Sequence, residues 1–388
     1  MNILFVDKRY PTFGGISAVV TMLAKHFIAD GHKVYVATLM SGLYEGIEEL
    51  IPHGVTVIQL KQPTWNPKNI KILRSIIKEN DIDVILNQWA LHCELSFICN
   101  KARKGTKCKL ISELHGAPDT TKMIIELNDR LKQSRNPFSK IKNRIRLSLA
   151  HWITKISIRY TTKVCDKYVL LSEGFIEPLI SYAKLKKTNN ICAIGNAIGI
   201  SDDGFVYDSL KKKKQILYVG RMDTFNKRVN RIVEAWEQLF RDYPEWSLEL
   251  VGQGPQLESL KEYVSNKHIE RVHFHGFQKE PPRKFYEDAS ILLLTSDLEG
   301  FGLVIIEGMQ FGVVPIVYGS YVAVYDILEN AKDGYITPIP YNSQNTIDAL
   351  KTLMDSPEKR DCMAQAAMNK SKKFSMESII EKWYKIMN

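Results

Sequence analysis

The feature that most constrains the fold is the alternation of short apolar runs with amphipathic helical patterns along the whole chain. Near-continuous apolar runs are typical of parallel strands that are buried on both faces. Strands that alternate with helices predict βαβ units with right-handed crossovers, and therefore an α/β fold. The predicted strands are NILFV, KVYVA, VTVIQL, DVILN, KLISEL, KYVLLS and NICAIG in the first half, and QILYVG, SLELVG, VHFHG, ILLLTS and VVPIVY in the second.

The chain is long enough for two domains. At about 100–200 residues per domain, 388 residues divide into two units with a core each. The polar stretch 200–214 has no periodicity and predicts the break. We expect a Rossmann-like domain over 1–200, a second over 201–375, and a C-terminal helix over 376–388 whose placement the pattern leaves open. Ligands of such sheets bind at the carboxyl ends of the strands.

Composition narrows the class of protein. The formal net charge of +10 permits attraction to phosphates or to an anionic membrane surface, but no nucleic-acid reading motif accompanies it. The six cysteines form no C-x-x-C pair, which predicts free thiols in a reducing compartment and no metal site. No signal-peptide core and no spanning segment is visible, so we expect a cytoplasmic location.

The strongest chemical signal is the segment SDLEGFGLVIIEG, residues 296–308, directly after the strand ILLLT. A helix that begins near Gly302 would present free amides and a positive dipole end to an anion. Glu307 would lie on a semi-buried face, where a carboxylate needs hydrogen-bond donors such as sugar hydroxyls. The simpler interpretation makes Glu299 a helix cap and Glu307 a solvated residue.

A second signal is the loop VGRMDTFNKRV, residues 219–229, between a strand and a helix. Arg221 and Lys227 would lie at the ligand edge of the sheet, where two cations suit a diphosphate. The alternative is a pair of ordinary surface cations.

Glycine turns and strand-end polar residues give weaker signals. Gly254 lies in a G-x-G-P turn that resembles an incomplete dinucleotide fingerprint, and we interpret it as a tight turn near a nucleotide. Gly15 opens the first helix with flexible backbone. His115 follows the strand KLISEL, and we expect a functional role there. Asn87, Gln88 and His92 follow another strand; of these, Asn87 and His92 are the acceptor-side candidates.

Taken together, these motifs resemble the family 4 glycosyltransferases of the GT-B fold, over nearly the whole chain and in the expected order. The family elements and their counterparts are E-x7-E (Glu299 to Glu307), G-R-x…K (Gly220, Arg221, Lys227), G-x-G-P (Gly252–Pro255), the double glycine (Gly14 and Gly15) and the strand-end histidine (His115).

The resemblance implies a site for a nucleotide-sugar donor. Arg221 and Lys227 would hold the diphosphate, and Glu307 the ribose. The transferred sugar and its phosphate would be held by Glu299 and the amides of Phe301, Gly302 and Leu303, with the base near Phe277. His115 would face the donor sugar, which makes His115 and Glu299 the catalytic candidates. Transfer in this family retains anomeric configuration and needs no bound metal or other cofactor.

Two departures from the family pattern stand out. Arg228 replaces the glycine that usually follows the loop lysine, and Asn196-Ala197 replaces an Asn-Gly pair. These two departures do not affect the resemblance to the family, but they weaken any assignment to a subfamily within it.

A basic stretch covers residues 130–163, with ten Lys or Arg and no acidic residue. Apolar residues within it recur at three- and four-residue spacing and form one helical stripe: Ile141, Ile145, Leu149, Trp152 and Ile156. A basic amphipathic helix of this kind is typical of a membrane-surface anchor. Alternatively, the stripe docks on the sheet of the first domain while the cations stay solvated, and both can hold.

The sequence therefore predicts a retaining hexosyltransferase that uses a nucleotide-sugar donor, which we expect to be UDP-linked. The acceptor would be a glycan or a lipid-linked glycan of cell-surface polysaccharide or lipopolysaccharide synthesis. The location would be cytoplasmic, with peripheral contact to the inner membrane face. The alternatives are a sugar-nucleotide epimerase of the same fold and an inactive sugar-nucleotide- or glycan-binding scaffold.

Overall fold

The computed structural model describes residues 1–42, 46–134 and 136–388. The chain divides into two compact units, one formed by Met1–Gly195 with Ile380–Asn388 and the other by Asn196–Ile379. The sequence places the boundary at 200/201, five residues later than the division of contacts.

The first unit is built on a parallel sheet. Its strand order is β3-β2-β1-β4-β5-β6-β7, and each adjacent pair is parallel. The strands are β1 (Asn2–Arg9), β2 (Lys33–Met40), β3 (Val55–Gln59), β4 (Val84–Asn87), β5 (Lys109–Leu114), β6 (Lys167–Leu170) and β7 (Ile191–Ala193). Strands β1, β4 and β5 are neighbours in its centre, so the residues that follow them meet at one edge.

The helices of the first unit connect these strands. They are α1 (Gly15–Ala29), α2 (Pro67–Glu79), α3 (Cys93–Ala102), α4 (Lys122–Gln133), α5 (Pro137–Val164) and α6 (Ile176–Ala183). Two of them begin with the same local signal, an Asn cap followed by proline. The Asn66 side chain accepts from the Lys68 amide at 3.0 Å, and the Asn136 side chain accepts from the Phe138 amide at 2.9 Å.

The second unit repeats the architecture. Its sheet has the order β10-β9-β8-β11-β12-β13, again parallel throughout. The strands are β8 (Gln215–Val219), β9 (Ser247–Val251), β10 (Val272–Gly276), β11 (Ile291–Leu294), β12 (Val314–Tyr318) and β13 (Tyr335–Thr337). The helices are α7 (Val229–Glu237), α8 (Leu257–Asn266), α9 (Arg283–Asp288), α10 (Leu303–Gln310), α11 (Ala323–Ile327), α12 (Ser343–Asp355), α13 (Pro357–Ser371) and the start of α14 (Met376–Met387).

The core of the second unit explains why these elements form. Apolar residues of α7 repeat at core spacing, and Ile232, Val233 and Trp236 are buried against β8 and β9. The sequence correctly predicts five of the six strands. It misses β13, which is only three residues long and has no apolar run of its own.

The end of α14 belongs to the first unit, a placement that the sequence leaves open. The Tyr384 ring lies 5.8 Å from that of Phe27, and its hydroxyl donates to Asp30 at 2.5 Å. The Lys109 ammonium donates to the Met387 carbonyl at 3.0 Å. The last residues therefore complete the core of the unit that the chain began.

Helix α5 corrects one expectation. The apolar stripe does not dock on the sheet: Ile145 and Trp152 are exposed. The opposite face is the buried one, and its side chains are mostly small or polar: Asn143, Ala150, Thr154, Ser157, Ile158, Thr161 and Thr162. In the described part of the chain, no helix is long and apolar enough to span a membrane.

Candidate functional site

The loop after β8 is organised by one side chain. The Asp223 carboxylate accepts hydrogen bonds from the amides of Phe225, Asn226 and Lys227, at 3.1, 2.6 and 3.1 Å. Such a side-chain-to-backbone turn fixes the loop without regular structure. The Arg221 side chain extends from the same loop into solvent and is 69% exposed, with its Nε 3.8 Å from Asp223. Arg221 is thus free to turn toward an anion.

Lys227 and Glu299, both predicted donor ligands, lie together. The Lys227 ammonium contacts Glu299 Oε1 at 2.5 Å, and the Ser296 hydroxyl donates to the same oxygen at 2.8 Å. Both side chains are largely buried. The loop after β8 and the loop after β11 therefore meet through a charge pair. A diphosphate would exchange this carboxylate for its own oxygens as the partner of the lysine.

Helix α10 begins beside this pair, as the sequence predicts. Gly302 precedes it at φ 100°, a left-handed conformation that favours glycine. The first amides of an α-helix have no carbonyl partner within the helix, so those of Gly302 and Leu303 are available to an anion. The side chain of Phe301 is buried against Phe374, at 5.8 Å between ring centroids, so only its backbone can serve a ligand.

Tyr321 is a residue of this edge that the sequence analysis missed. A side chain at position 302 would place its Cβ 2.9 Å from the Tyr321 hydroxyl, which therefore points at the start of α10. That hydroxyl is buried and has no hydrogen-bond partner among the described residues. The available signal was its position three residues after β12, at the carboxyl edge of the sheet.

Glu307 lies inside α10 on a partly buried face. The Tyr286 hydroxyl donates to its Oε2 at 2.8 Å. Burial raises the pKa of Glu307 to about 6, and the Tyr286 bond offsets part of that rise. The Glu307 carboxylate is therefore not the freely solvated group of the simpler interpretation. At neutral pH it is an ionised acceptor with few partners, which suits hydroxyl donors.

The two glycines of the G-x-G-P turn are required by close backbone contact. A Cβ at Gly252 would lie 1.9 Å from the Gly220 carbonyl oxygen, and one at Gly254 would lie 2.2 Å from that of Met222. The amides of Gly220 and Met222 donate to the carbonyl oxygens of Val251 and Gln253, at 2.9 and 3.0 Å. The turn thus joins the loops after β8 and β9 at the predicted donor edge. Phe277, the predicted base contact, is 43% exposed just after β10.

A second charge cluster at this edge was also missed. The Asp297 carboxylate forms ion pairs with two arginines. Its Oδ2 lies 2.5 Å from Arg228 Nε, and its Oδ1 lies 2.6 Å from Arg231 Nη1. Arg228 has φ 51° at the start of α7, which explains why the family has glycine there. The arginine of this chain adopts the left-handed conformation and anchors it by the pair with Asp297.

In the first unit, His115 lies at the carboxyl end of β5 beside two polar residues. Its Nε2 lies 2.8 Å from the Gln88 amide oxygen and 3.5 Å from Glu113 Oε2. Burial lowers the pKa of His115 to about 3 and raises that of Glu113 to about 8. Both groups are therefore uncharged at neutral pH. A neutral imidazole that donates from Nε2 keeps Nδ1 as an acceptor.

Asp7 extends this edge at the end of β1, and the sequence analysis missed it. The Trp89 indole donates to Asp7 Oδ1 at 2.5 Å, whereas Oδ2 is buried without a partner in the described structure. Burial raises the pKa of Asp7 to about 6. The Lys8 ammonium lies 5.3 Å from the centroid of the Trp89 ring. The signal was a carboxylate directly after the apolar run 3–6 of a central strand.

The acceptor-side candidates differ in their surroundings. The Asn87 side chain is fully buried and hydrogen-bonded within the first unit, and its role as a ligand stays a prediction. It donates to Ser96 and Ser112 at 3.0 and 3.2 Å and accepts from the Trp89 amide at 3.1 Å. His92 is exposed, with its ring 5.6 Å from that of Trp89, and remains a prediction. Gly15 has φ 32° at the start of α1 and stays a prediction as well.

Within residues 1–42, 46–134 and 136–388, no group of three or more His, Cys, Asp or Glu side chains is arranged to hold a metal ion. At the edge of the second unit, the described groups are cations, carboxylates and helix amides, which suit a diphosphate and hydroxyl groups.

Comparison with known proteins agrees with this architecture. Solved structures that resemble the chain over its whole length are glycosyltransferases with the GT-B fold, and the two parallel sheets are those of that fold. One is an apo lipopolysaccharide outer core galactosyltransferase, WaaB, with a TM-score of 0.71, 18% identity and coverage of 100% of this chain and 99% of that one. Another is HepE of Anabaena in complex with UDP-glucose, with a TM-score of 0.72, 18% identity and coverage of 99% and 98%.

Sequence comparison gives the family. Residues 13–200 match the Glycosyltransferase Family 4 profile, and residues 201–370 match that of the glycosyl transferases group 1. The chain belongs to the family 4 glycosyltransferases. It is also 30% identical over 224 residues to an uncharacterized glycosyltransferase of Haemophilus influenzae; the match covers 58% of this chain and 61% of the length of that relative.

Proposed function

We propose that the protein transfers a hexose from a UDP-sugar to a hydroxyl of a cell-surface glycan or its lipid-linked precursor, with retention of anomeric configuration. The observation that carries the proposal is the meeting of Lys227, Glu299 and the start of α10 at one sheet edge. Support for the donor comes from HepE, whose structure holds UDP-glucose, and support for the acceptor class from the lipopolysaccharide galactosyltransferase.

The donor would be held by its diphosphate. Lys227 would leave Glu299 for a phosphate oxygen, Arg221 would turn in from solvent, and the amides of Gly302 and Leu303 would complete the anion site. Glu299, released from the lysine, would accept hydroxyls of the sugar. Glu307 would accept the ribose hydroxyls, and the base would lie near Phe277.

The reaction then follows from charge. The acceptor oxygen forms a bond to the anomeric carbon on the face from which the donor phosphate departs. The bond between that carbon and the phosphate oxygen breaks, and its electron pair stays on the phosphate. The acceptor proton passes to the departing phosphate oxygen, which balances the step. Lys227, Arg221 and the helix amides stabilise the negative charge that develops on UDP.

We propose hydrogen-bonding roles for the groups of the first unit. His115 is neutral at pH 7, so it would contact the transferred sugar as a hydrogen-bonding group and not as a cation. Asp7 has an unpartnered carboxylate oxygen that is suited to an acceptor hydroxyl. A lipid-linked acceptor would be met at a membrane surface, and we propose a cytoplasmic, peripheral location there.

The test is a donor panel. The protein is incubated with UDP-glucose, UDP-galactose, UDP-N-acetylglucosamine, GDP-mannose and ADP-glucose, with water as the slow acceptor. Release of the nucleoside diphosphate and the anomeric proton of the freed sugar are followed by NMR. We expect UDP release from one UDP-sugar, with the α-anomer formed first. First appearance of the β-anomer, an epimer of the donor sugar, or UDP binding without turnover would contradict the proposal.

A further inference from the structure

Helix α5 has the reverse of the usual distribution of polarity. Its buried face makes polar contacts: the Ser157 hydroxyl donates to the Leu91 carbonyl at 2.7 Å, and that of Thr161 to Ser96 Oγ at 3.0 Å. Its exposed face is a row of large apolar side chains: Phe138, Ile141, Ile145, Leu149, Trp152, Ile153 and Ile156. We call this row the α5 stripe. Phe138 is 83% exposed and Trp152 is 60% exposed.

This arrangement is costly in water. The α5 stripe runs along one face for about 27 Å, at 1.5 Å per residue. Apolar surface on this scale is rare on soluble monomers and marks an interaction site. The stripe cannot be turned inward by rotating the helix, because the opposite face is fixed by the hydrogen bonds of Ser157 and Thr161. A partner must cover it.

Charge decides what the partner is. The exposed cations Lys142, Arg144 and Arg146 border the α5 stripe, and no acidic residue occurs in the sequence between Arg130 and Lys163. A second copy of the chain would bring like charges together on this face. An anionic lipid surface instead neutralises them while its acyl boundary takes the apolar side chains. A tryptophan in the row suits that boundary, because its ring is apolar and its N–H is polar.

The two ends of α5 differ in how free their cations are. The Lys155 ammonium lies 4.9 Å from the centroid of the Tyr182 ring, and Arg159 Nε donates to the Ala183 carbonyl at 2.6 Å. These contacts hold the C-terminal half of the helix on α6. The N-terminal half, with Lys142, Arg144 and Arg146, is therefore the half whose cations can serve lipid headgroups.

We infer that the α5 stripe and the cations of its N-terminal half dock the protein in the interface of a bilayer rich in anionic phospholipid. The helix lies in the plane of the membrane, with the stripe at the acyl boundary and the cations among the headgroups. The inference rests on the proposed function for the reason to be there, since a lipid-linked acceptor presents its hydroxyl at that surface. It does not depend on which sugar is transferred.

The experiment is vesicle co-sedimentation of the full chain. Vesicles of phosphatidylcholine are compared with vesicles that contain three parts in ten of phosphatidylglycerol, at low and high salt. We expect at least tenfold stronger binding to the anionic vesicles, weakened by salt. The double variant R144E/R146E should lose at least tenfold, and so should I145S/W152S. The matched control K186E/K187E makes the same charge change at two exposed residues that follow α6 in the chain and should bind like wild type.

Three outcomes would overturn the inference. They are no binding of wild type to anionic vesicles, equal loss in the K186E/K187E control, and a solution dimer that I145S/W152S converts to a monomer. The substituted side chains of I145S/W152S are exposed, so its melting temperature should not fall. UDP binding is measured in parallel. A variant that loses vesicle binding but still binds UDP has lost only the function of the α5 stripe. A variant that loses UDP binding but still binds vesicles has lost only the proposed donor site.

Discussion

The two sheet edges handle their ionisable groups in opposite ways. In the second unit, Lys227 is paired with Glu299, and Asp297 with Arg228 and Arg231. In the first unit, Glu113 and His115 lie 3.5 Å apart, and burial moves their pKa values to about 8 and about 3, toward the neutral forms. One edge is a set of ion pairs that an anion can exchange into. The other is a set of neutral hydrogen-bonding groups.

This difference teaches what each edge can bind. The Lys227–Glu299 pair is largely buried, and a diphosphate that takes the place of the carboxylate keeps the charge of the lysine compensated. Buried neutral groups with unpartnered atoms instead gain from each hydrogen bond that a ligand hydroxyl supplies. The second edge therefore suits a charged leaving group, and the first suits sugar hydroxyls.

The largest effect is expected where Glu113 is made permanently neutral. Its folded pKa of about 8 lies above the unfolded value, so the wild-type free energy of unfolding falls as the pH rises from about 4.5 to about 8. Glu113→Gln removes this loss and should be more stable than wild type at pH 8, by about 2–4 kcal/mol. Urea unfolding at pH 5 and pH 8 measures it, with the exposed Glu381→Gln as control. If the difference in unfolding free energy between Glu113→Gln and wild type does not grow from pH 5 to pH 8, Glu113 is ionised in the folded protein.

The backbone contact that joins two donor-edge loops is tested by Gly252→Ala. Its Cβ would collide with the Gly220 carbonyl, whereas the Cβ of Gly276→Ala meets nothing within 4 Å. Both glycines have positive φ, 133° at Gly252 and 68° at Gly276, so both variants carry backbone strain. We expect Gly252→Ala to lose at least about 2 kcal/mol more in thermal unfolding, and to bind UDP more weakly. Equal losses would show that the loops can separate freely.

At the sheet edge of the second unit, the sequence could predict which residues meet but not how they pair. Lys227, Glu299 and Glu307 follow strands or enter a helix at recognisable spacing, so parallel topology brings them to one edge. Their pairing was not predictable, because strand order does not fix which cation meets which carboxylate. Arg231 lies in the first turn of α7 and gave no signal for its contact with Asp297.

The first unit was harder to predict for a different reason. Periodicity correctly identified α5 as amphipathic but not which face is buried, since Thr, Ser and Ala can pack as well as Leu when their hydroxyls find partners. Asn87 satisfied the rule for strand-end ligands yet is occupied by Ser96 and Ser112. Burial of polar groups depends on neighbours that are distant in sequence.

A smaller effect is expected at Glu307, which has a pKa of about 6. If its carboxylate accepts the ribose hydroxyls, UDP affinity should rise about tenfold or less between pH 5 and pH 7, as the group ionises. Glu307→Gln should flatten this rise and weaken binding at pH 7.5. Tyr286→Phe removes a hydrogen bond to the carboxylate and should shift the pH midpoint of UDP affinity upward.

The free energy of unfolding should change with pH in the opposite direction. Wild type becomes less stable from about pH 4.5 to 6, and Glu307→Gln does not. An unchanged pH profile in Glu307→Gln would exclude the ribose role.

The smallest effect is expected for Arg228→Gly. Glycine relieves the positive φ, whereas the lost pair with Asp297 and the more flexible unfolded chain oppose that gain. We expect a change in unfolding free energy within about 0.5 kcal/mol, and UDP affinity within about threefold. A tenfold loss of UDP affinity with unchanged stability would instead mean that Arg228 leaves Asp297 and contacts the donor.

The most direct test of the account is calorimetric titration of UDP into wild type, Lys227→Ala and Lys213→Ala. Lys213 is the control because it is an exposed cation of the same unit, paired with Asp288 and not placed at the donor edge. A charge-assisted contact to a diphosphate contributes about 1.5–3 kcal/mol, so Lys227→Ala should bind UDP about 10–150-fold more weakly. Lys213→Ala should match wild type. Equal affinity of Lys227→Ala and wild type would contradict a diphosphate site at this sheet edge.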